Sequence, residues 1–126
     1  MRSILIVEDE PLVRLFLEEI LHGMGFEVFS AETALAGVSL VAEKAALSTG
    51  LITDIELGDR TSGWELARYA RSLNPELHII YISGRCADGW ASEGVPRSEF
   101  IQKPFSASLV LRVLSSLLND DSENVA

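Results

Sequence analysis

Four short apolar runs in this chain each stop at a polar position, and amphipathic helical stretches lie between them. Ile4–Val7 precedes Glu8-Asp9, Leu51–Thr53 precedes Asp54, Ile79–Ile82 precedes Ser83, and Phe100–Gln102 precedes Lys103-Pro104. Runs of this kind form buried strands. Alternation with helices implies a doubly wound, five-stranded parallel sheet covered on both faces, an α/β fold. In such an open sheet, ligands bind outside the carboxyl ends of the strands. Four strand ends would thus bring three carboxylates, a hydroxyl and an ammonium to one crevice.

The intervening stretches carry their own punctuation. Pro11 suits the first position of a helix expected to reach Met24, with Val13, Phe16, Leu17, Ile20 and Met24 on one stripe. Glu27–Ala31 reads as a strand, and Thr33–Lys44 as a helix buried through Ala34, Val38, Val41 and Ala45. Ser62-Gly63-Trp64-Glu65 has capping-box spacing and opens a helix that Asn74-Pro75 closes. The Gly-rich stretch from Gly84 to Ser98 has poor periodicity, so at most a short helix is expected around Cys86–Ser92. Ser106 can cap a last helix to about Leu118, with Val110, Val113, Leu114 and Leu117 inward. Residues 1–118 then form one domain, and 119–126 read as a polar, frayed tail.

Composition narrows the function. A formal charge of −9, from 19 acidic and 10 basic residues, is the wrong sign for a nucleic-acid binder. Arg60, Arg68 and Arg71 are interrupted by Glu65 and Glu76 and make no basic stripe. No window is long and apolar enough to span a bilayer, and no leader opens the chain. A cytoplasmic protein is expected, and the lone Cys86 agrees with a reducing compartment.

Two carboxylates 4 Å apart repel by about 4 kcal/mol at an effective dielectric near 20. Three converging on one point either take up protons or recruit a cation. Oxygen-only ligands favour a hard divalent ion, Mg²⁺ before Zn²⁺ or Cu²⁺. A phosphoryl donor clamped by such an ion is a good electrophile, and Asp54 is then a competent nucleophile. The Lys103 ammonium and the Ser83 hydroxyl would hold the remaining phosphoryl oxygens.

The ordered set Glu8-Asp9, Asp54, Ser83 and Lys103-Pro104 resembles the receiver domains of two-component response regulators, over Ile4 to Leu118. The resemblance implies a flavodoxin-like strand order 2-1-3-4-5 and a phosphoryl group accepted on Asp54. The source would be a sensor histidine kinase or histidine phosphotransfer protein. It further implies that Asp9 and Asp54 bind Mg²⁺ directly, Glu8 mostly through water and Glu56 through its backbone carbonyl. Ser83 and Lys103 would bind the phosphoryl group, Ser83 and Phe100 would switch with it, and the bond to Pro104 would be cis. Such a chain would be a stand-alone switch that signals through protein contacts to an unknown downstream partner. A homodimer through the last helix is a further expectation, open to light scattering.

The loop after Asp54 departs from the family, with Gly58 where Pro is usual and one residue more than most. Glu56 and Arg85, each two residues past a site residue, flank the path by which water would reach an acyl phosphate. They are expected to pair and to tune dephosphorylation. Blander roles stand beside these. Glu8-Asp9-Glu10 could simply favour a helix start, Asp54 could end a strand in a turn, and Phe100 could be plain core. His22 and His78 are assigned to structure, Trp64 to packing, and Trp90, if exposed, to a partner contact. Two other functions share the residue set: an unphosphorylated interaction module of the same fold, and a haloacid-dehalogenase-type phosphatase. The phosphatase order of nucleophile before acidic pair is the reverse of this one.

Overall fold

In the computed structural model, which describes residues 2–58, 61–85 and 87–124, five strands form one parallel sheet in the order β2-β1-β3-β4-β5. The elements are β1 (Ser3–Val7), α1 (Pro11–Gly23), β2 (Glu27–Ala31), α2 (Ala34–Lys44) and β3 (Gly50–Asp54). They continue with α3 (Gly63–Leu73), β4 (His78–Ser83), α4 (Trp90–Glu93), β5 (Ser98–Gln102) and α5 (Ala107–Asn124), and a 3₁₀ turn, Ala45–Leu47, follows α2. Cys86, and Asp59-Arg60 of the loop after Asp54, lie outside the described residues.

The two-residue period of the central strands sorts their side chains between two cores. Leu5, Val7, Leu51, Ile79 and Tyr81 face one layer, where they meet Ala34 and Val41 of α2 and Leu66, Ala67 and Ala70 of α3. Ile4, Ile6, Ile52, Ile80, Ile82 and Ile101 face the other, against Leu17 and Leu21 of α1 and Val110, Leu114 and Leu117 of α5. Each fully buried Leu or Ile side chain contributes about 1.5–3 kcal/mol. Because both faces are covered, β1, β3 and most of β4 are buried at every position. The sheet ladder thereby fixes where its carboxyl ends lie.

Helix starts follow local chemistry. Pro11 stands in the first turn of α1. Thr33 Oγ1 accepts the Ala36 N–H at 3.0 Å, Ser62 Oγ that of Glu65 at 3.3 Å, and Ser106 Oγ that of Leu109 at 3.2 Å. Of the stripe expected on α1, Val13, Leu17, Ile20 and Met24 pack into the core and Leu21 joins them fully buried, while Phe16 is 38% exposed and packs 5.9 Å from Phe105. On α2, Gly37 is buried where Val38 is only partly so. A Cβ at Gly37 would meet Val7 Cγ1 at 2.8 Å, so helix and sheet approach closely there.

Two elements differ from expectation. Helix α5 does not stop near Leu118, and residues 119–124 continue it. No Gly or Pro interrupts that stretch, and Asn, Asp and Ser each disfavour a helix by only a few tenths of a kcal/mol. Helix α4 is a single turn displaced toward the chain's C-terminus, bounded by Gly89 at φ 88° and by Gly94.

The segment around α4 is held from outside. Arg68 Nη1 donates to Glu93 O (3.0 Å), and Arg71 donates to Leu77 O (3.1 Å) and Pro96 O (2.7 Å). The Val95 N–H donates to the buried Tyr81 hydroxyl at 3.0 Å. Trp90 is half-buried rather than a free anchor. Its Nε1 donates to Ser98 Oγ at 3.0 Å, and its ring lies 5.9 Å from that of Phe100.

Candidate functional site

The carboxyl ends of β1, β3, β4 and β5 are tied to their neighbours by backbone bonds one residue beyond, or at, each strand end. Glu8 N donates to Ala31 O (3.1 Å), Ile55 N to Ile82 O (3.0 Å) and Lys103 N to Ser83 O (2.8 Å). The side chains of Glu8, Asp54, Ser83 and Lys103 therefore leave a rigid rim. Glu8, Asp54 and Ser83 are buried, at 0%, 3% and 1% exposure. The Lys103–Pro104 peptide bond is cis.

Lys103 is the hub. Its Nζ lies 3.0 Å from Asp54 Oδ2, 2.8 Å from Glu8 Oε1 and 2.7 Å from Glu10 Oε1. Burial works against the ammonium, but the hydrogen bonds to Glu10, Glu8 and Asp54 outweigh it and hold its pKa above the ordinary lysine range. Glu8 goes the opposite way for a carboxyl. Burial pushes its pKa up to about 7, against the hydrogen bonds from Lys103 and the Glu10 amide, and the nearby Asp54 charge adds to the rise. Glu8 Oε2 accepts the Glu10 N–H at 3.1 Å. Oε1 is ion-paired with the Lys103 ammonium at 2.8 Å.

That oxygen belongs to a larger group. One ligand atom from each of Glu8, Asp9, Glu10 and Asp54 lies within 4.8 Å of the others, Glu8 and Asp54 buried and Asp9 and Glu10 exposed. Four carboxylates face one ammonium, and every ligand atom is oxygen. The residues fit a hard divalent cation. Sequence reasoning placed Glu8, Asp9 and Asp54 here and passed over Glu10, whose acidic character follows directly on the pair but whose reach to Lys103 depends on the turn into α1.

Around Asp54 the backbone is crowded. Asp54 Oδ1 accepts the Glu56 N–H at 3.1 Å, and Gly63 N donates to Ile55 O at 2.8 Å. A Cβ on Gly63 would collide with the Asp54 carbonyl oxygen and stand 2.8 Å from Ile55 Cα. Gly63 is thus a site residue that sequence reasoning took only for a helix start. The Glu56 side chain turns across to the next strand end. Its Oε1 accepts the Ser83 hydroxyl at 2.9 Å and lies 3.8 Å from Arg85 Nε. Phe100 stands opposite Tyr81 in the ladder, half-buried, with the Trp90 ring 5.9 Å from its own.

The model for the response regulator receiver domain matches residues 4–115. The nitrogen assimilation regulatory protein NtrX of Azorhizobium caulinodans is 35% identical over 92% of this chain, and the match takes in 26% of its own length. For the phyllosphere-induced regulator PhyR of Methylorubrum extorquens that share is 43%, so the chain spans less than half of either regulator. The response regulator receiver protein CpdR of Brucella abortus is 28% identical over 94% of this chain and 98% of its own. The crystal structure of a response regulator receiver protein from Sinorhizobium medicae WSM419 superposes with a TM-score of 0.87 at 36% identity, covering 94% of each chain.

Proposed function

Because this chain belongs to the response regulator receiver family, which serves two-component signalling rather than classical enzymology, we propose that it is switched by a phosphoryl group on Asp54. The observation that carries this reading is the Asp54 carboxylate itself. It is buried at the mouth of the sheet, with Lys103 at 3.0 Å and three further carboxylates close by.

The donor would be a sensor histidine kinase or a histidine phosphotransfer protein in the cytoplasm. An Asp54 carboxylate oxygen forms the new O–P bond as the N–P bond of the donor phosphohistidine breaks, and the imidazole keeps the electron pair. Water later cleaves the acyl phosphate, returning the carboxylate and releasing inorganic phosphate. Lys103 and Ser83 offer an ammonium and a hydroxyl to the phosphoryl oxygens. Mg²⁺ suits the donor set; the carboxylates of Asp9 and Asp54, Glu8 through water and the Glu56 carbonyl would hold it, where it would neutralise charge on the transferred group.

Readout would pass through Ser83 and Phe100 to the surface of α4, β5 and α5, which a downstream protein or a second copy would meet. Glu56 and Arg85 would tune loss of the phosphoryl group. The test is intact mass after incubation with acetyl phosphate. We expect a hydroxylamine-labile gain of one phosphoryl group, lost on chelation and absent in Asp54→Asn. Folded, Mg²⁺-binding protein that gains nothing from acetyl phosphate or from a histidine kinase would refute the reading.

A further inference from the structure

A serine hydroxyl has one proton to donate, and Ser83 gives it to Glu56, 2.9 Å away. The same oxygen accepts the Arg85 N–H at 3.1 Å, so the hydroxyl is fixed from both sides. Ser83 is buried, whereas the Glu56 side chain is 46% exposed and reaches in from the loop after β3. Glu56 thus acts twice: its amide holds the Asp54 carboxylate, and its own carboxylate occupies the hydroxyl that a phosphoryl group would need.

We propose that the Glu56 carboxylate is a built-in competitor of the phosphoryl group, holding Ser83 in the resting protein and surrendering it when Asp54 is phosphorylated. The proposal rests on the reading of Asp54 as phosphoacceptor. One O–H cannot serve two anions, so phosphoryl binding exchanges one anionic acceptor for another. Its net strength is lowered by whatever the Glu56 hydrogen bond is worth. Repulsion between the arriving dianion and the carboxylate pushes Glu56 outward.

The surroundings give Glu56 a place to go. Arg85, 85% exposed, already stands 3.8 Å from it. Both line a cleft of about 360 Å³ with Ile55, Trp64, Ser83 and Asp88. Release from Ser83 would leave Glu56 paired with Arg85 across that cleft. Within each phosphorylated molecule, the contact sets the fraction in which Ser83 has turned to the phosphoryl group, because two acceptors compete for one hydroxyl.

The test is calorimetric titration with beryllofluoride in saturating Mg²⁺, on the full chain, in a double-mutant cycle. Glu56→Ala should tighten beryllofluoride binding about tenfold, the size expected from freeing one charge-assisted hydrogen bond. In a Ser83→Ala background the same change should tighten binding several-fold less, because only the charge repulsion remains to be relieved, and Ser83→Thr, which keeps a hydroxyl, should restore the full effect. Circular dichroism checks that each variant is folded. Equal tightening in all backgrounds would mean simple removal of a negative charge and would overturn the proposal, as would no tightening. If wild-type protein with Mg²⁺ bound takes no beryllofluoride, the phosphoacceptor reading fails as well; binding without coupling between Glu56 and Ser83 removes the proposal alone.

Discussion

Replacing Glu8 by Gln should stabilise the metal-free protein. Glu8 is wholly buried, and its pKa rises from 4.5 to about 7 on folding. Between those two values the folded chain binds more protons at this position than the unfolded chain does. Stability is therefore fully present below pH 4.5 and is lost as pH rises through about 7. Keeping the Glu8 carboxylate charged in the fold therefore costs about 3 kcal/mol. Gln keeps the volume and carries no charge, so Glu8→Gln should be up to about 3 kcal/mol more stable than wild type near pH 8 in EDTA, and nearly equal to it near pH 4.5. In urea, with slopes of about 1–3 kcal/mol/M, the midpoint should move up by about 1–3 M. Saturating Mg²⁺ should reverse the order, because the cation stabilises the carboxylate and finds a weaker ligand in the amide. A variant less stable than wild type at pH 8 in EDTA, or a difference that does not change with pH, would refute the reasoning.

Three other changes probe the same frame. Gly63→Ala drives a methyl into the Asp54 carbonyl and should cost about 1–3 kcal/mol in urea unfolding, with weakened Mg²⁺ binding by titration calorimetry because the Asp54 backbone must move. Lys103→Met leaves Glu8 and Asp54 without their shared ammonium; it should destabilise the protein by about 3–5 kcal/mol in EDTA and by much less in saturating Mg²⁺, read as paired thermal melts. Arg71→Met removes the bonds to Leu77 O and Pro96 O and should cost about 1–2 kcal/mol, with faster amide hydrogen exchange at Val95 while β1 and β3 keep their protection.

The parts of this molecule legible in sequence are those where one physical requirement dominates. Ile4–Val7 and Ile79–Ile82 are apolar at every position because both faces of the sheet are covered, which marks a parallel sheet and puts Glu8 and Ser83 at its rim. The strand order came with the family resemblance, not with the pattern. Other features depend on distances between elements far apart in the chain. Gly63 reads as a helix start, and only the approach of α3 to Asp54 shows that no larger residue fits. Arg68 and Arg71 looked like interrupted basic residues; their carbonyl partners at 93–97 are set by the tertiary fold and compensate for the brevity of α4. On α1 the helical period marks Val13, Leu17, Ile20 and Met24 as inward, whereas Phe16 packs against Phe105, a partner far along the chain. The end of α5 is not marked in the sequence, because its polar continuation past Leu118 contains no helix breaker. Glu56 and Arg85 were expected to pair, and they do stand 3.8 Å apart, but the shorter contact from Glu56 to Ser83 needed coordinates to find.

The central claim is chemical: one carboxylate, Asp54, carries the phosphoryl group. Borohydride reduces an acyl phosphate to the alcohol and leaves free carboxylates alone, so it writes the site permanently into the peptide. Protein phosphorylated by acetyl phosphate in Mg²⁺, reduced and digested, should contain homoserine at position 54 and unchanged Glu8, Asp9, Glu10 and Glu56. The reduced alcohol at any of those four positions (homoserine at Asp9, 2-amino-5-hydroxypentanoate at Glu8, Glu10 or Glu56), or at no position while the intact mass shows the added phosphoryl group, would contradict it.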